Sequence, residues 1–391
     1  MGSFDLLDIE YHKALTVKLS HKLISRYFPP LKKIDLFVTE KCNLQCDYCF
    51  VCNKKQVSSS WTIIKKGIDF LLEESRDAKE ITVTFFGGEP LLEFDLVRKA
   101  ADYAKQRTLE CGKIVDFALT TNGTIMTEEI ALFAQEFGFN VLLSIDGDDI
   151  MHNTYRKFPD GSGSWDVIMG KNFDILKAIQ GWIGTRITVN PETANRLSHG
   201  IDLLFSRGVN QFLIGMNLEA KWTEEYLAIL AKEMHNVADF YMIQRSEDRP
   251  IRITFFEDDI TAIKKKASNT WGCSAGTGQV AIAVNGDIYP CARFVSGNPV
   301  LQQFILGNIY SGFIDNDMRL ALINQDTSLR PICNDCASIE YCIGGCYAAN
   351  KVVCGTIYGG NPFECFLTRL RLELAEKLHG LQDSTLSEIL V

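Results

Sequence analysis

No stretch of this chain carries enough consecutive apolar residues to cross a bilayer, and its N-terminus has no signal-peptide core, so the sequence predicts a cytoplasmic protein with no membrane partner. Positive charge is also short. Lys and Arg number 40 against 49 Asp and Glu, a formal net charge of −9, and no basic patch interleaved with aromatics occurs, which removes the footprint of a nucleic-acid binder. The run Ile263-Lys264-Lys265-Lys266 reads as a solvated helix face. Internal repeats and low-complexity tracts are absent, which sets aside solenoid and disordered architectures. What remains is a chain of 391 residues, 46% hydrophobic, long enough for two domains or one large one, with thirteen cysteines. Without an export signal, that many cysteines point away from disulfides and toward reduced thiols bound to metal.

Three of them stand close together in Cys42-x3-Cys46-x2-Cys49, just after the apolar stretch Ile34 to Val38. Three thiolates on a loop leaving a strand can hold three irons of a cubane cluster and leave the fourth without a protein ligand, a place for chemistry. A zinc knuckle is the other reading of the spacing; zinc asks for four ligands, and Cys52 would complete only a cramped set. Downstream, the β-branched and aromatic run Ile81 to Phe86 leads into Gly87-Gly88-Glu89-Pro90. The glycines allow close approach of a ligand, and Glu89 offers a carboxylate to an ammonium group. Two further strand ends carry Thr121-Asn122-Gly123-Thr124 and Ser144-Ile145-Asp146-Gly147, the latter followed by His152-x3-Arg156.

Together these motifs resemble the radical S-adenosylmethionine (SAM) superfamily. The resemblance implies that Cys42, Cys46 and Cys49 are catalytic cluster ligands, that SAM chelates the open iron, and that its reductive cleavage gives a 5′-deoxyadenosyl radical. It implies SAM-binding roles for Tyr48 near adenine, for Gly87, Gly88, Glu89 and Pro90 at the amino group, for Asn122, and for Ser144 and Arg156 at the carboxylate. The C-terminal third adds Cys273, Gly286-x4-Cys291, Cys333-x2-Cys336-x5-Cys342-x3-Cys346 and Cys365. This spacing resembles the SPASM extension, which carries two auxiliary iron–sulfur clusters. By that resemblance Cys273, Cys291 and Cys346 serve the first auxiliary cluster, and Cys333, Cys336, Cys342 and Cys365 the second, giving three clusters in all. Many relatives have an eighth cysteine between the first and the Gly-x4-Cys; Ser274 to Pro290 has none, and the spare Cys354 is a tentative replacement.

Alternating strands and amphipathic helices predict an α/β fold, and by resemblance a partial (β/α)6 radical SAM barrel with a C-terminal α+β SPASM domain. Strands are expected at 34–39, 80–86, 115–120, 140–144, 184–190 and 211–216, with helices at 62–74, 91–106, 127–136, 165–179, 196–207 and 223–244. Right-handed crossovers would place all motifs on one rim. The expected division is an N-terminal extension (1–33), the barrel (34–247) and the auxiliary-cluster domain (248–391). That last part should hold a strand over 251–256, a hairpin turning at Asn285-Gly286 and a closing helix over 366–378.

The expected activity is modification of a ribosomally made precursor peptide, with a thioether crosslink between a cysteine sulfur and a carbon as the leading reading. Carbon–carbon or carbon–oxygen crosslinking is adjacent to it. The alternative is an anaerobic sulfatase-maturing enzyme; those relatives tend to follow the Gly-x4-Cys cysteine with a basic Asp, where this chain has Cys291-Ala292. A flavodoxin or ferredoxin is the expected electron donor. The segment before the first strand is short for a leader-binding domain, so a separate leader-binding protein is a possible partner. Glu257, Asp258 and Asp259 are positional candidates for a base, or a solvated helix start. Cys52 and Cys111 receive no role.

Overall fold

The computed structural model of the protein describes residues 28–51, 54–268, 273–323 and 330–380. Cys52 and nearly all of the N-terminal extension lie outside them.

Seven strands in chain order lie side by side in parallel: β1 (Lys33–Thr39), β2 (Glu80–Gly87), β3 (Ile114–Thr121), β4 (Asn140–Ser144), β5 (Gly184–Val189), β6 (Gln211–Met216) and β7 (Arg252–Ile253). Each β1 residue follows the period of two. Ile34, Leu36 and Val38 are fully buried against the helical layer, while Asp35 and Phe37 point to the opposite face. Caps set the helix starts: Ser60, Thr127, Asp148 and Thr223 accept hydrogen bonds from the backbone N–H three residues on. Between sheet and helices, Phe85, Phe117 and Phe139 stack with centroids 5.1 to 6.3 Å apart. Such pairs add about 0.5–1.5 kcal/mol each beyond their area.

The chain then returns to the other edge of the sheet. β8 (Gln279–Ile282) pairs in parallel with β1, and β9 (Asp287–Tyr289), β10 (Gly307–Asn308) and β11 (Gly312–Phe313) continue antiparallel, giving the order β11-β10-β9-β8-β1-β2-β3-β4-β5-β6-β7. The expected hairpin is present, with Gly286 at φ +89 donating its N–H to Ala283 O at 2.9 Å. What sequence periodicity did not reveal is that this hairpin extends the barrel sheet itself.

Two expected elements differ. The helix expected over 165–179 is broken by a π turn at Ile168–Asn172, where Gly170 leaves the helical conformation with φ −84 and ψ −131. The strand expected over 251–256 pairs only at Arg252–Ile253, since the next residues turn toward the helix Ile260–Ser268. Among the described residues no helix is long and apolar enough to cross a membrane.

Candidate functional site

β1 and β2 drift out of register after Phe37, and Thr39 faces Gly87 at the point where β1 gives way to the cysteine loop. That loop is fastened to the end of β2 by backbone hydrogen bonds from Gly88 N to Thr39 O (2.9 Å) and from Glu89 N to Lys41 O (2.8 Å). A Cβ on Gly87 would stand 2.0 Å from Thr39 O, and one on Gly88 would stand 2.1 Å from Lys41 O. So the close approach that these glycines permit is to the backbone of the cysteine loop. Pro90 is buried and opens the one-turn helix Pro90–Glu93.

Glu89 and Asn122 also hold this loop. Glu89 is fully buried; its Oε1 accepts from Thr121 Oγ1 (2.7 Å) and Leu91 N (3.0 Å), and its Oε2 from Asn122 N (2.7 Å). Burial pushes its carboxyl up to about 7 despite those bonds. These bonds fix Glu89 against the end of β3. Asn122 Nδ2 donates to Asn43 Oδ1 (2.8 Å), and its Oδ1 accepts from Thr124 N (2.9 Å) and Thr124 Oγ1 (2.7 Å). Through these bonds Asn122 reaches Asn43 and the Cys42 sulfur.

On the far side of the loop, Asp146 at the end of β4 gathers a buried network. Its carboxylate accepts from Arg156 Nε (2.8 Å), Thr188 N (2.7 Å) and the Tyr48 hydroxyl. Arg156 is 7% exposed, which rules out a solvated surface charge, and it lies 5.3 Å from the Tyr48 ring centroid. Burial opposes its charge, but Asp146, Tyr48 and Cys46 together outweigh burial and hold the guanidinium protonated. His152, with its Nε2 2.9 Å from Ser164 Oγ, is kept neutral by burial and then by Arg156. Ser144 ends β4 in register with Arg186 of β5. Arg186 is water-accessible, yet its field neighbours are Arg293, Arg156, Asp146 and Tyr48, which place it in the barrel lumen.

The cysteines fall into three groups. Cys42 interacts electrostatically with Cys46, and Cys46 with Cys49, beside Arg156 and Lys54. Cys291 interacts with Cys346 and Cys273. Cys365 interacts with Cys342, Cys333 and Cys336. Burial pushes Cys42, Cys273 and Cys365 up to about 11, and Cys291 rises further through burial and then its neighbouring thiols. Thiols so placed resist becoming thiolates together unless a cation joins them, which is the donor chemistry an iron–sulfur cluster requires. Among the described residues no three metal-ligating side chains close on the sphere of a single ion. A cubane, whose cysteine sulfurs sit on separate irons, does not require that. Cys354, at the end of the helix Tyr347–Cys354, is exposed, and Glu364 is the one group whose charge raises it further.

The base candidates are structural. Asp259 accepts from Ala262 N (2.7 Å), Asp258 pairs with Lys266 (2.6 Å) and Arg371, and Glu257 lies 3.2 Å from the Tyr241 hydroxyl. Sequence reasoning missed Asp35, Arg186, Arg293 and Glu364. Asp35, on the inward face of β1, is buried; burial raises its carboxyl, offset in part by Lys33 and by the nearby Thr84 and Ala292. An acid inside the run Ile34 to Val38 was the available signal. Arg293 bonds Glu219 Oε1 at 2.6 Å and stands among Cys346 and Cys291. A cavity of about 450 Å³ opens between the cysteine loop and the hairpin, lined by Val51, Lys54, Val57, Val284, Tyr289 and Val295 among others.

Comparisons with known proteins agree with this geometry. The model of the radical SAM superfamily matches residues 36–204. An uncharacterized protein of Methanocaldococcus jannaschii is 30% identical over 265 residues, 67% of this chain and 85% of that protein. The cysteine-type anaerobic sulfatase-maturating enzyme of Clostridium novyi is 23% identical over 79% of this chain and 85% of its own length. Among solved structures, native anSMEcpe with bound AdoMet superposes with a TM-score of 0.73 at 20% identity, covering 90% of this chain and 98% of that one. Streptococcus suis SuiB bound to precursor peptide SuiA gives a TM-score of 0.63 at 16% identity, with 93% and 82% covered. Both share the fold.

Proposed function

Because this chain belongs to the radical SAM superfamily, we propose that it is a peptide-modifying enzyme that joins a cysteine sulfur to a carbon of another residue in a ribosomally made precursor peptide. It is an enzyme that uses SAM and iron–sulfur clusters. When bound, these supply a hydrogen-abstracting carbon radical and an acceptor for the electron that the substrate then gives up.

In this reading Cys42, Cys46 and Cys49 hold the SAM-binding cluster. Gly87, Gly88, Glu89 and Asn122 fix the loop that carries it, while Tyr48, Ser144 and Arg156 line the SAM side. Cys273, Cys291 and Cys346 hold the first auxiliary cluster, and Cys333, Cys336, Cys342 and Cys365 the second. The cavity beside Lys54 and Tyr289 suits one extended stretch of peptide between the two regions. Arg186 gives the lumen a positive charge that favours an acidic or carboxylate-bearing segment. The electron donor is a flavodoxin or ferredoxin.

One observation carries the thioether assignment: among the described residues the group Cys273, Cys291 and Cys346 contains three thiols and no fourth. That leaves an iron able to take a substrate thiolate. The second reading, oxidation of a cysteine or serine to formylglycine, is favoured by the likeness to the Clostridium novyi enzyme. It is weakened by Ala292 after Cys291, although the buried Asp35 carboxylate stands near the Ala292 backbone.

The test is anaerobic turnover with SAM, reductant and cysteine-containing peptides encoded beside the gene, read by mass spectrometry. A thioether removes two hydrogens, keeps the sulfur and makes the cysteine resistant to alkylation. Loss of sulfur from a sulfatase-derived peptide, with no change in the precursor peptides, would replace this reading with the second.

A further inference from the structure

The helix Pro362–His379 begins at Asn361, whose side chain accepts from Phe363 N (3.1 Å) and donates to Leu218 O (3.1 Å). Phe363 stacks on Trp222 at 4.3 Å, which pins this helix end to the barrel. In its first turn two consecutive residues serve different neighbours. Cys365 joins Cys333, Cys336 and Cys342, whereas Glu364 turns toward Cys346 and its Oε1 accepts from Cys346 N at 2.8 Å. An acid in a first helical turn ordinarily serves its own helix or water. Here Oε2 is shut off from water and has no hydrogen-bond partner, although it lies 2.7 Å from where a Gly345 Cβ would be. An orphaned buried carboxylate oxygen is costly, so a cation or donor is owed at that point. The groups within its electrostatic reach are Cys273, Cys346 and Cys354, with Arg293 as its positive neighbour.

We propose that the Glu364 carboxylate is the fourth protein ligand of the first auxiliary cluster, occupying through Oε2 the iron that Cys273, Cys291 and Cys346 leave without a thiolate. It yields that position to the substrate thiol. The exchange balances without redox: the iron–oxygen bond breaks, an iron–sulfur bond forms, and the thiol proton passes to the freed carboxylate. Oxygen is a weaker partner than thiolate for iron in such a cluster, so a carboxylate cap protects the cluster while remaining displaceable. Cys354 is then a bystander, consistent with its exposure. This assignment rests on the reading of the three cysteines as cluster ligands.

The test uses the full chain, anaerobically reconstituted with iron and sulfide, with Glu364→Gln as the variant, because the amide oxygen can still accept from Cys346 N. With SAM present to cap the N-terminal cluster, the expected result is loss of about one iron per chain beyond wild type and a three-iron EPR signal on mild oxidation larger than that of wild type. Equal iron and superimposable EPR spectra for the two proteins would overturn the proposal. A second measurement needs no variant: protein labelled with 13C-glutamate should show a carboxyl hyperfine coupling to the reduced cluster that added β-mercaptoethanol removes, and an unchanged spectrum would count against it. Failure of the underlying reading looks different. In that case Cys346→Ala would leave the iron content and spectra of the wild type untouched.

Discussion

Replacing Gly88 with alanine should remove the SAM-binding cluster while leaving the auxiliary clusters in place. The added Cβ would meet Lys41 O at 2.1 Å, Lys41 C at 2.6 Å and Glu40 O at 2.7 Å, all backbone atoms that no rotamer change can move aside. Overpacking of this kind costs about 1–3 kcal/mol. The loop can escape only by giving up the hydrogen bonds from Gly88 N and Glu89 N, worth about 0.5–1.5 kcal/mol each. Giving up both bonds costs roughly 1–3 kcal/mol, no more than the clash it relieves, so displacement of the cysteine loop is the available escape. For a chain of this length the melting temperature should fall by roughly 1–4 °C. Gly138→Ala is the control: its φ is +66 and nothing lies within 4 Å, so only the left-handed backbone cost of about 1–2 kcal/mol applies. Both proteins would be reconstituted anaerobically and assayed for iron and SAM cleavage. Gly88→Ala should lose about four irons per chain and all cleavage, and the control neither. Full iron and wild-type cleavage in Gly88→Ala would refute the argument that these glycines hold the cysteine loop.

Cys46→Ala should abolish SAM cleavage, whereas Cys333→Ala should retain some uncoupled cleavage and lose product; chromatography of 5′-deoxyadenosine separates the two, and equal cleavage by Cys46→Ala and wild type would sink the mechanism. Asp146→Ala strands the buried Arg156 guanidinium and the Thr188 N–H, and should cost about 3–5 kcal/mol in chemical denaturation; a change below about 1 kcal/mol would mean that the network is not buried as described. Glu89 rises from 4.5 to about 7 on folding, so the folded state holds its proton more tightly, and this group's effect on stability becomes increasingly unfavourable as pH climbs from 4.5 to 7. Glu89→Gln carries no such effect, so its stability relative to wild type should improve by about 3 kcal/mol across that window, and parallel pH profiles would contradict the assignment.

The parallel α/β core was legible because its signals are local. Asn140–Ser144 and Gln211–Met216 occur as expected, since short apolar runs bounded by polar ends admit few alternatives. The kink at Gly170 was not legible, because glycine inside an amphipathic pattern costs too little to mark a break. Site chemistry divides in the same way. Spacing alone brought the cysteines and the Gly-Gly pair to notice. The commitments of Glu89 and Asn122 depend on partners more than thirty and nearly eighty residues away, respectively, which periodicity cannot see. Asp35 and Glu364 escaped notice for the same reason: each is one acid in an unremarkable pattern until the fold buries it beside Ala292 or Cys346.

The parallel pairing of β8 with β1 links the two regions more closely than a domain boundary near residue 248 would suggest. β1 runs into Cys42 at one end of the sheet, whereas β9, antiparallel and two strands away across β8, runs toward Cys291 at the other end. The space around this shared edge is filled by Phe37, Val51, Ala281, Ala283 and Val295, with Phe50 and Phe86 packed against them. A hydrogen-bonded, close-packed sheet of this kind transmits position rigidly. The spacing between the cysteine loop and the Cys291 group is therefore set by backbone pairing.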